Sequence, residues 1–277
     1  MNGKERYNIY SCTKMMTCTA ALMLYEKGMY QLDDKLSKYM PEFETMYIRT
    51  QNGVKKAENS IRIQNLFYMT AGFSYDLTSP QLQLAKKETA GKCPTRKTME
   101  YLAREPLLFE PAGMVYSAFH LPEEELDSMA EQYSLDHETG ILENCGKGNA
   151  FMLGSEYDSG GAGCISTVED YIRFLEAMRK GLLLKPETMD LMSTNSLSGL
   201  PEKQYKDATD SNYGYGLGVR CPFNDQKTDV GWGGAAGAYL ALDRPCDITV
   251  YYSQHVLGNT GITTQNSIID LVKEELV

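Results

Sequence analysis

Histidine is scarce in this chain: His120, His137 and His255 are the three among 277 residues, and none stands in a GxSxG or HExxH context. A Ser-His-Asp triad assembles in space, so it is not excluded, but nothing favours it, and surface or structural roles are the plainer reading. The seven cysteines (12, 18, 93, 145, 164, 221 and 246) are scattered, odd in number and show no CxxC spacing. Neither a zinc site nor a disulfide framework is indicated, and free thiols in a reducing compartment are expected. No Lys/Arg-rich run is present, and the net charge of −10 argues against nucleic acid or an anionic membrane surface as the main partner. No stretch has transmembrane length, and Met1-Asn2-Gly3-Lys4-Glu5-Arg6 lacks the apolar centre of a signal peptide. A cytoplasmic protein without a membrane span, metal or cofactor is expected.

What is present suits a soluble globular protein: 42% of residues are hydrophobic and 23% charged, and 277 residues can bury a sizeable core. The most informative run is Tyr10-Ser11-Cys12-Thr13-Lys14, at the head of a helix-patterned segment with no Gly or Pro until Gly28. Serine and lysine at i and i+3 share a helical face, so the amine can reach the hydroxyl. Ser11 would also lie at the positive end of the helix, where free N–H groups favour an oxyanion. Lysine serves as a base only when burial or a nearby cation lowers its pKa. Taken alone, an N-cap serine followed by a solvated lysine is the stronger reading.

Further along, Met29 to Pro41 reads as a turn, a short helix and a proline stop, and Ser60 to Met69 as a second helix ended by Ala71-Gly72. Helical patterns return at residues 95–104 and 122–132, with a loop at Pro111-Ala112-Gly113-Met114-Val115-Tyr116-Ser117 between them. Ser159-Gly160-Gly161-Ala162-Gly163 is read as a tight turn; no GxxxxGK supports a phosphate cradle. A helix follows, capped by Ser166 with Glu169 and facing inward through Tyr171, Phe174, Leu175 and Met178. From Tyr213 onward the pattern is strand-like, with runs at 215–220, 238–243 and 248–252, a hairpin turn at 243–247 and a closing helix over 266–276. The fold expected is an α/β (α+β) sandwich, an antiparallel sheet flanked by helices with a mainly helical lobe. It would be a single domain over 1–277, with the lobe at about 40–160 and the sheet mainly in 213–255.

In this order, the blocks Ser11-Cys12-Thr13-Lys14, Leu32-Asp33-Asp34-Lys35-Leu36, residues 61–72, Tyr116-Ser117, residues 161–175 and Gly231-Trp232-Gly233-Gly234 resemble the serine β-lactamase and penicillin-binding-protein-like superfamily. The resemblance is to its class C and carboxylesterase (family VIII esterase-like) branch, and implies its β-lactamase/transpeptidase-like fold. It implies acyl transfer: Ser11 as nucleophile, Lys14 and Tyr116 sharing base and acid work, and the backbone N–H groups of Ser11 and Ala235 as the oxyanion hole. Trp232, Gly233, Gly234 and Ser117 would contact substrate, with Trp232, the only tryptophan, as a site wall.

Departures from the family pattern narrow the expectation. Trp232 replaces the lysine or histidine of the KTG box, removing a cation for a substrate carboxylate, and Ala118 replaces the asparagine of the tyrosine motif. Both changes favour a small or uncharged ester over a lactam or peptide. A carboxylesterase-like hydrolase of a small ester is therefore the first reading; the alternatives are β-lactamase or D-alanyl-D-alanine peptidase-like activity on an amide, and a catalytically weak scaffold. The last arises because strands before the SxxK motif and a helix with its turn after Tyr116-Ser117 are missing from the pattern. An exposed sheet edge, open to pairing in a homo-oligomer, is the expected result.

Overall fold

The computed structural model describes residues 3–50, 53–73, 78, 80–95, 119–121, 123–209, 213–224, 227–258 and 262–276. Tyr116, Ser117 and all but the first residue of the helix expected over 95–104 fall outside them.

A five-stranded antiparallel sheet organises the molecule. Its strands β7 (Tyr213–Tyr215), β8 (Arg220–Pro222), β9 (Val230–Gly233), β10 (Tyr239–Asp243) and β11 (Ile248–Tyr252) lie side by side in chain order. Alternation along β10 divides the core. Leu240 and Leu242, opposite Trp232 and Val230 on β9, join the large cluster that holds α1 (Thr13–Glu26) and α4 (Val168–Arg179). Tyr239 and Ala241 face the other way, packing with Ile269 of the closing helix α7 (Ile262–Leu276). Helices therefore cover both faces, as the sandwich reading requires. Lys273 of α7 is paired with the buried Asp243 of β10, and Lys227 with Asp270 at 2.6 Å, tying that helix to the sheet.

The sequence pattern places α1 well: it runs from Thr13, and Gly28 leaves it at φ +71, a conformation glycine adopts without strain. The helix read over Ser60 to Met69 contracts to α2 (Ile63–Phe67), because Met69 turns to φ +58. Around Pro41 the chain makes two 3₁₀ turns, Leu36–Lys38 and Pro41–Phe43, so the proline opens a turn rather than stopping a helix. The alternating run at 215–220 is two strands, not one. Between them Gly218 takes φ +82, and a Cβ there would lie 2.1 Å from Cys18 Sγ of α1. The cap of α4 is Thr167, whose hydroxyl accepts from the Asp170 N–H at 3.1 Å, one residue later than the Ser166 box suggested.

Two hairpins were not anticipated. β2 (Tyr47–Thr50) pairs with β3 (Gly53–Lys56), and β4 (Gln132–Leu135) pairs with β5 (Leu142–Gly146) and, in parallel, with β12 (Val256–Leu257). The helix expected over 122–132 is a 3₁₀ segment, Glu123–Ser128, after which the chain enters β4. Its carboxylates crowd one short stretch, and the next residues find backbone partners elsewhere: Ala130 donates to the Arg6 carbonyl at 2.7 Å. Three further helices are α3 (Pro80–Glu88), α5 (Pro186–Met192) and α6 (Gly199–Thr209).

One seam positions the candidate site. β1 (Tyr7–Asn8) pairs antiparallel with β6 (Ile165–Ser166), in the register Tyr7↔Ser166 and Asn8↔Ile165. The Ile9 N–H then donates to the Cys164 carbonyl at 3.1 Å, the Cys164 N–H to Thr13 Oγ1 at 3.1 Å, and Thr17 Oγ1 to the Gly160 carbonyl at 2.7 Å. Residues 7–17 thus run along residues 160–166 over their whole length.

Candidate active site

Ser11 sits in a single 3₁₀ turn, Tyr10–Cys12, that feeds into α1. One turn on, Lys14 reaches back along the helix, as long helical side chains do. Its Nζ donates to Ser11 Oγ at 2.9 Å and to the Gly161 carbonyl at 2.8 Å. The solvated-lysine reading fails here, since Lys14 is only 8% exposed and packed at the seam. Burial lowers its pKa from the ordinary lysine value, and the neighbouring Cys18 and Cys12 oppose that shift. Both of its partners among the described residues are uncharged oxygens, so no carboxylate in that pair holds the proton on the amine.

The cysteines do not compete as nucleophiles. Burial raises the Cys12 thiol far above its usual value and pushes Cys18 up to about 12, which keeps both protonated. All seven cysteines are free. Two of the three histidines have partners of their own: His120 Nε2 lies 3.0 Å from Asp158, and His255 Nδ1 lies 3.1 Å from the Glu131 carbonyl.

The glycine-rich stretch is a tight turn, as its sequence suggests. Ala162 and Gly163 both donate to the Ser159 carbonyl, at 3.0 and 2.7 Å, and a Cβ on Gly163 would meet Ser159 and Met152 at 2.8 Å. The carbonyls of Gly160 and Gly161 face α1, an arrangement that receives hydroxyl and amine donors rather than a phosphate.

On the other side, β9 delivers Trp232-Gly233-Gly234 to the Ser11 turn. A Cβ on Gly234 would stand 2.7 Å from the Ile9 carbonyl oxygen, so the absence of a side chain permits the close approach. The Gly237 N–H closes a turn onto the Gly234 carbonyl at 2.9 Å and leaves Ala235 exposed at its second position. Trp232 is half-buried on the α1 side of the sheet, with the Tyr215 ring edge-on at 5.1 Å. Ser11 and Lys14 are therefore brought together, and Trp232, Gly233, Gly234 and Ala235 lie on the adjoining strand and turn. Tyr116 and Ser117 lie outside the described residues.

Sequence reading missed three supports. The Gly161 carbonyl belongs to a segment singled out for its turn, but a backbone oxygen leaves no mark in residue types. Tyr171, read only as a core position, donates to the Cys12 carbonyl at 2.6 Å while its ring stacks on Tyr251 at 4.4 Å. Tyr10 donates to Gln132 of β4, a partner no local pattern could reveal.

The sequence pattern of the beta-lactamase family matches this chain over residues 1–122 and 108–264. The chain belongs to the beta-lactamase family. The two matched stretches overlap at 108–122, around the tyrosine motif where a shortened connection is expected from sequence. The chain is 26% identical to acyltransferase calJ of Penicillium decumbens, over 92% of this chain and 77% of that protein. It is likewise 26% identical to lovastatin esterase of Penicillium rubens, over 94% of this chain and 75% of the esterase. The solved structure of the LovD6 mutant of simvastatin synthase, from Aspergillus terreus, superposes with a TM-score of 0.77 over 99% of this chain and 84% of that one, at 18% identity. At that identity the likeness speaks for the fold. This beta-lactamase family member thus has the sandwich expected of it.

Proposed function

We propose that this protein is an acyl-enzyme serine hydrolase of small esters, carboxylesterase-like, with Ser11 as nucleophile. The observation that carries the reading is the 2.9 Å bond from Lys14 Nζ to Ser11 Oγ, made by a lysine whose burial favours the neutral amine. In its neutral form Lys14 takes the Ser11 proton as Oγ attacks the ester carbonyl. The N–H groups of Ser11 and Ala235 receive the developing oxyanion. Collapse expels the alcohol, which needs a proton; Lys14 and Tyr116 share that transfer. Water then attacks the acyl-enzyme by the reverse route, releasing the acid and restoring Ser11.

The relatives' names support acyl chemistry of this kind. An esterase and an acyltransferase differ in what accepts the acyl group, water or an alcohol, and both outcomes can follow from one acyl-enzyme. Trp232 in place of a cation supports an uncharged ester rather than a substrate carboxylate.

The test is labelling by a fluorophosphonate probe together with turnover of a p-nitrophenyl ester. Wild type is expected to label and turn over, and Ser11→Ala to do neither. A wild-type protein inert in both assays refutes the reading. Nitrocefin should be hydrolysed far more slowly than the ester; the reverse order would make it a lactamase.

A further inference from the structure

Tyr10, immediately before the nucleophile, has φ +46. That left-handed conformation is uncommon and strained for a bulky residue, so it persists only where the surroundings impose it. On the backbone side the turn is held by the Ile9 bond to Cys164 and by the Cys12 N–H donating to the Ile9 carbonyl at 3.1 Å. The side chain is held from a different part of the molecule. Tyr10 is 2% exposed, its ring meets Phe151 edge-on at 6.0 Å, and its hydroxyl donates to Gln132 Oε1. Gln132 is itself 2% exposed, at the point on β4 where the pairing with β5 shifts register. Its Nε2 faces the Gly148 carbonyl and Cys145 Sγ, both at 3.4 Å, which leaves the oxygen end of the amide for Tyr10. Burial pushes the Tyr10 phenol up to about 12, so it remains a donor at working pH.

We propose that Gln132 is a positioning residue for acyl transfer: through the Tyr10 hydroxyl it holds Tyr10 in the left-handed conformation that aims Ser11 Oγ. The three-stranded sheet β12-β4-β5 then contributes to the acylation rate without touching substrate. A buried hydrogen bond from a remote sheet is worth its place here because catalytic geometry tolerates little displacement; a shift of about 1 Å can cost 10²-fold in rate.

This inference rests on the acyl-transfer reading above, and the same probe separates the two. Gln132→Leu and Tyr10→Phe each remove one end of the bond. Each is expected to lower the fluorophosphonate acylation rate constant and the p-nitrophenyl ester kcat by roughly 10–100-fold. KM and the probe's binding constant should stay within about twofold, in protein shown by its melting curve to be fully folded at the assay temperature. The double variant should be no slower than the slower single variant, because both cut one interaction. If the variants melt earlier yet acylate at the wild-type rate, the bond is merely structural and the proposal is overturned. Should Gln132→Leu fail to fold, Tyr10→Phe, which deletes one oxygen, decides alone: wild-type acylation overturns the proposal, and a slowed kcat at constant KM sustains it. A wild-type protein that never labels refutes the acyl-transfer reading instead.

Discussion

A lysine sealed from water beside two uncharged oxygens gives up its proton readily, and that has two measurable consequences at Lys14. The first concerns rate: if the neutral amine is the base, as proposed, acylation should rise with pH through an inflection below the ordinary lysine value of about 10.4. A rate–pH profile of probe labelling reads it, and Lys14→Met should remove the inflection along with roughly 10²–10⁴ of the rate. The second concerns stability. With the folded-state pKa depressed, the unfolded chain binds the proton more tightly, so stability rises with pH between the depressed value and the ordinary one. Below that window the charged form is penalised by folding. Lys14→Met, apolar and of similar length, is therefore expected to raise the melting temperature at neutral pH while losing activity, the opposite of what a structural salt-bridging lysine would show. Ser11 and Lys14 were legible from sequence because i, i+3 spacing on a helix is a local fact. Whether Lys14 was buried was not legible, since residues 160–166 bury it from far along the chain.

At the scale of elements, the decisive contact is the approach of β9 to the turn before α1. Gly234→Ala would set a methyl group 2.7 Å from a backbone oxygen that the seam holds in place. The expected cost is about 1–3 kcal/mol in a urea titration, with slower probe labelling as the turn and strand move apart. Thr167→Ala should cost about 1 kcal/mol in the same titration by uncapping α4, with little effect on labelling. Sequence located these elements to within a residue or two where the signal was local: the glycine that ends α1, the cap region of α4, the dense β-formers of β11. It failed where pairing was remote. β4 was not anticipated because its partner β12 lies near the other end of the chain, and the β7–β8 turn was read as one strand because Cys18, which forces Gly218, belongs to α1.

At the scale of the whole molecule, one buried polar network braces the sheet. Arg220 donates to Asp229 Oδ2 at 2.9 and 2.8 Å and to the Tyr239 hydroxyl at 2.5 Å, while the Tyr213 hydroxyl donates to Asp229 Oδ1 at 2.8 Å. These residues join β7, β8 and β10 to the segment entering β9. Asp229→Ala would leave a guanidinium buried without its counter-charge, and a loss of about 3–5 kcal/mol is expected by chemical denaturation. Neither the composition nor the net charge hinted at this network, because arginine and aspartate read alike in the core and on the surface until partners are known. The order of motifs along the chain was legible; their bracing was not. The seam between residues 7–17 and 160–166 carries a further implication. Thr13, Lys14 and Thr17 each meet one backbone group of residues 160–164, and the Ile9 N–H meets another, so the two strips behave like a ruler laid against its scale. Adding or deleting one residue in 159–164 would offset every mark at once, and the amine would face the wrong carbonyl. Length in that loop is therefore expected to matter more than residue identity.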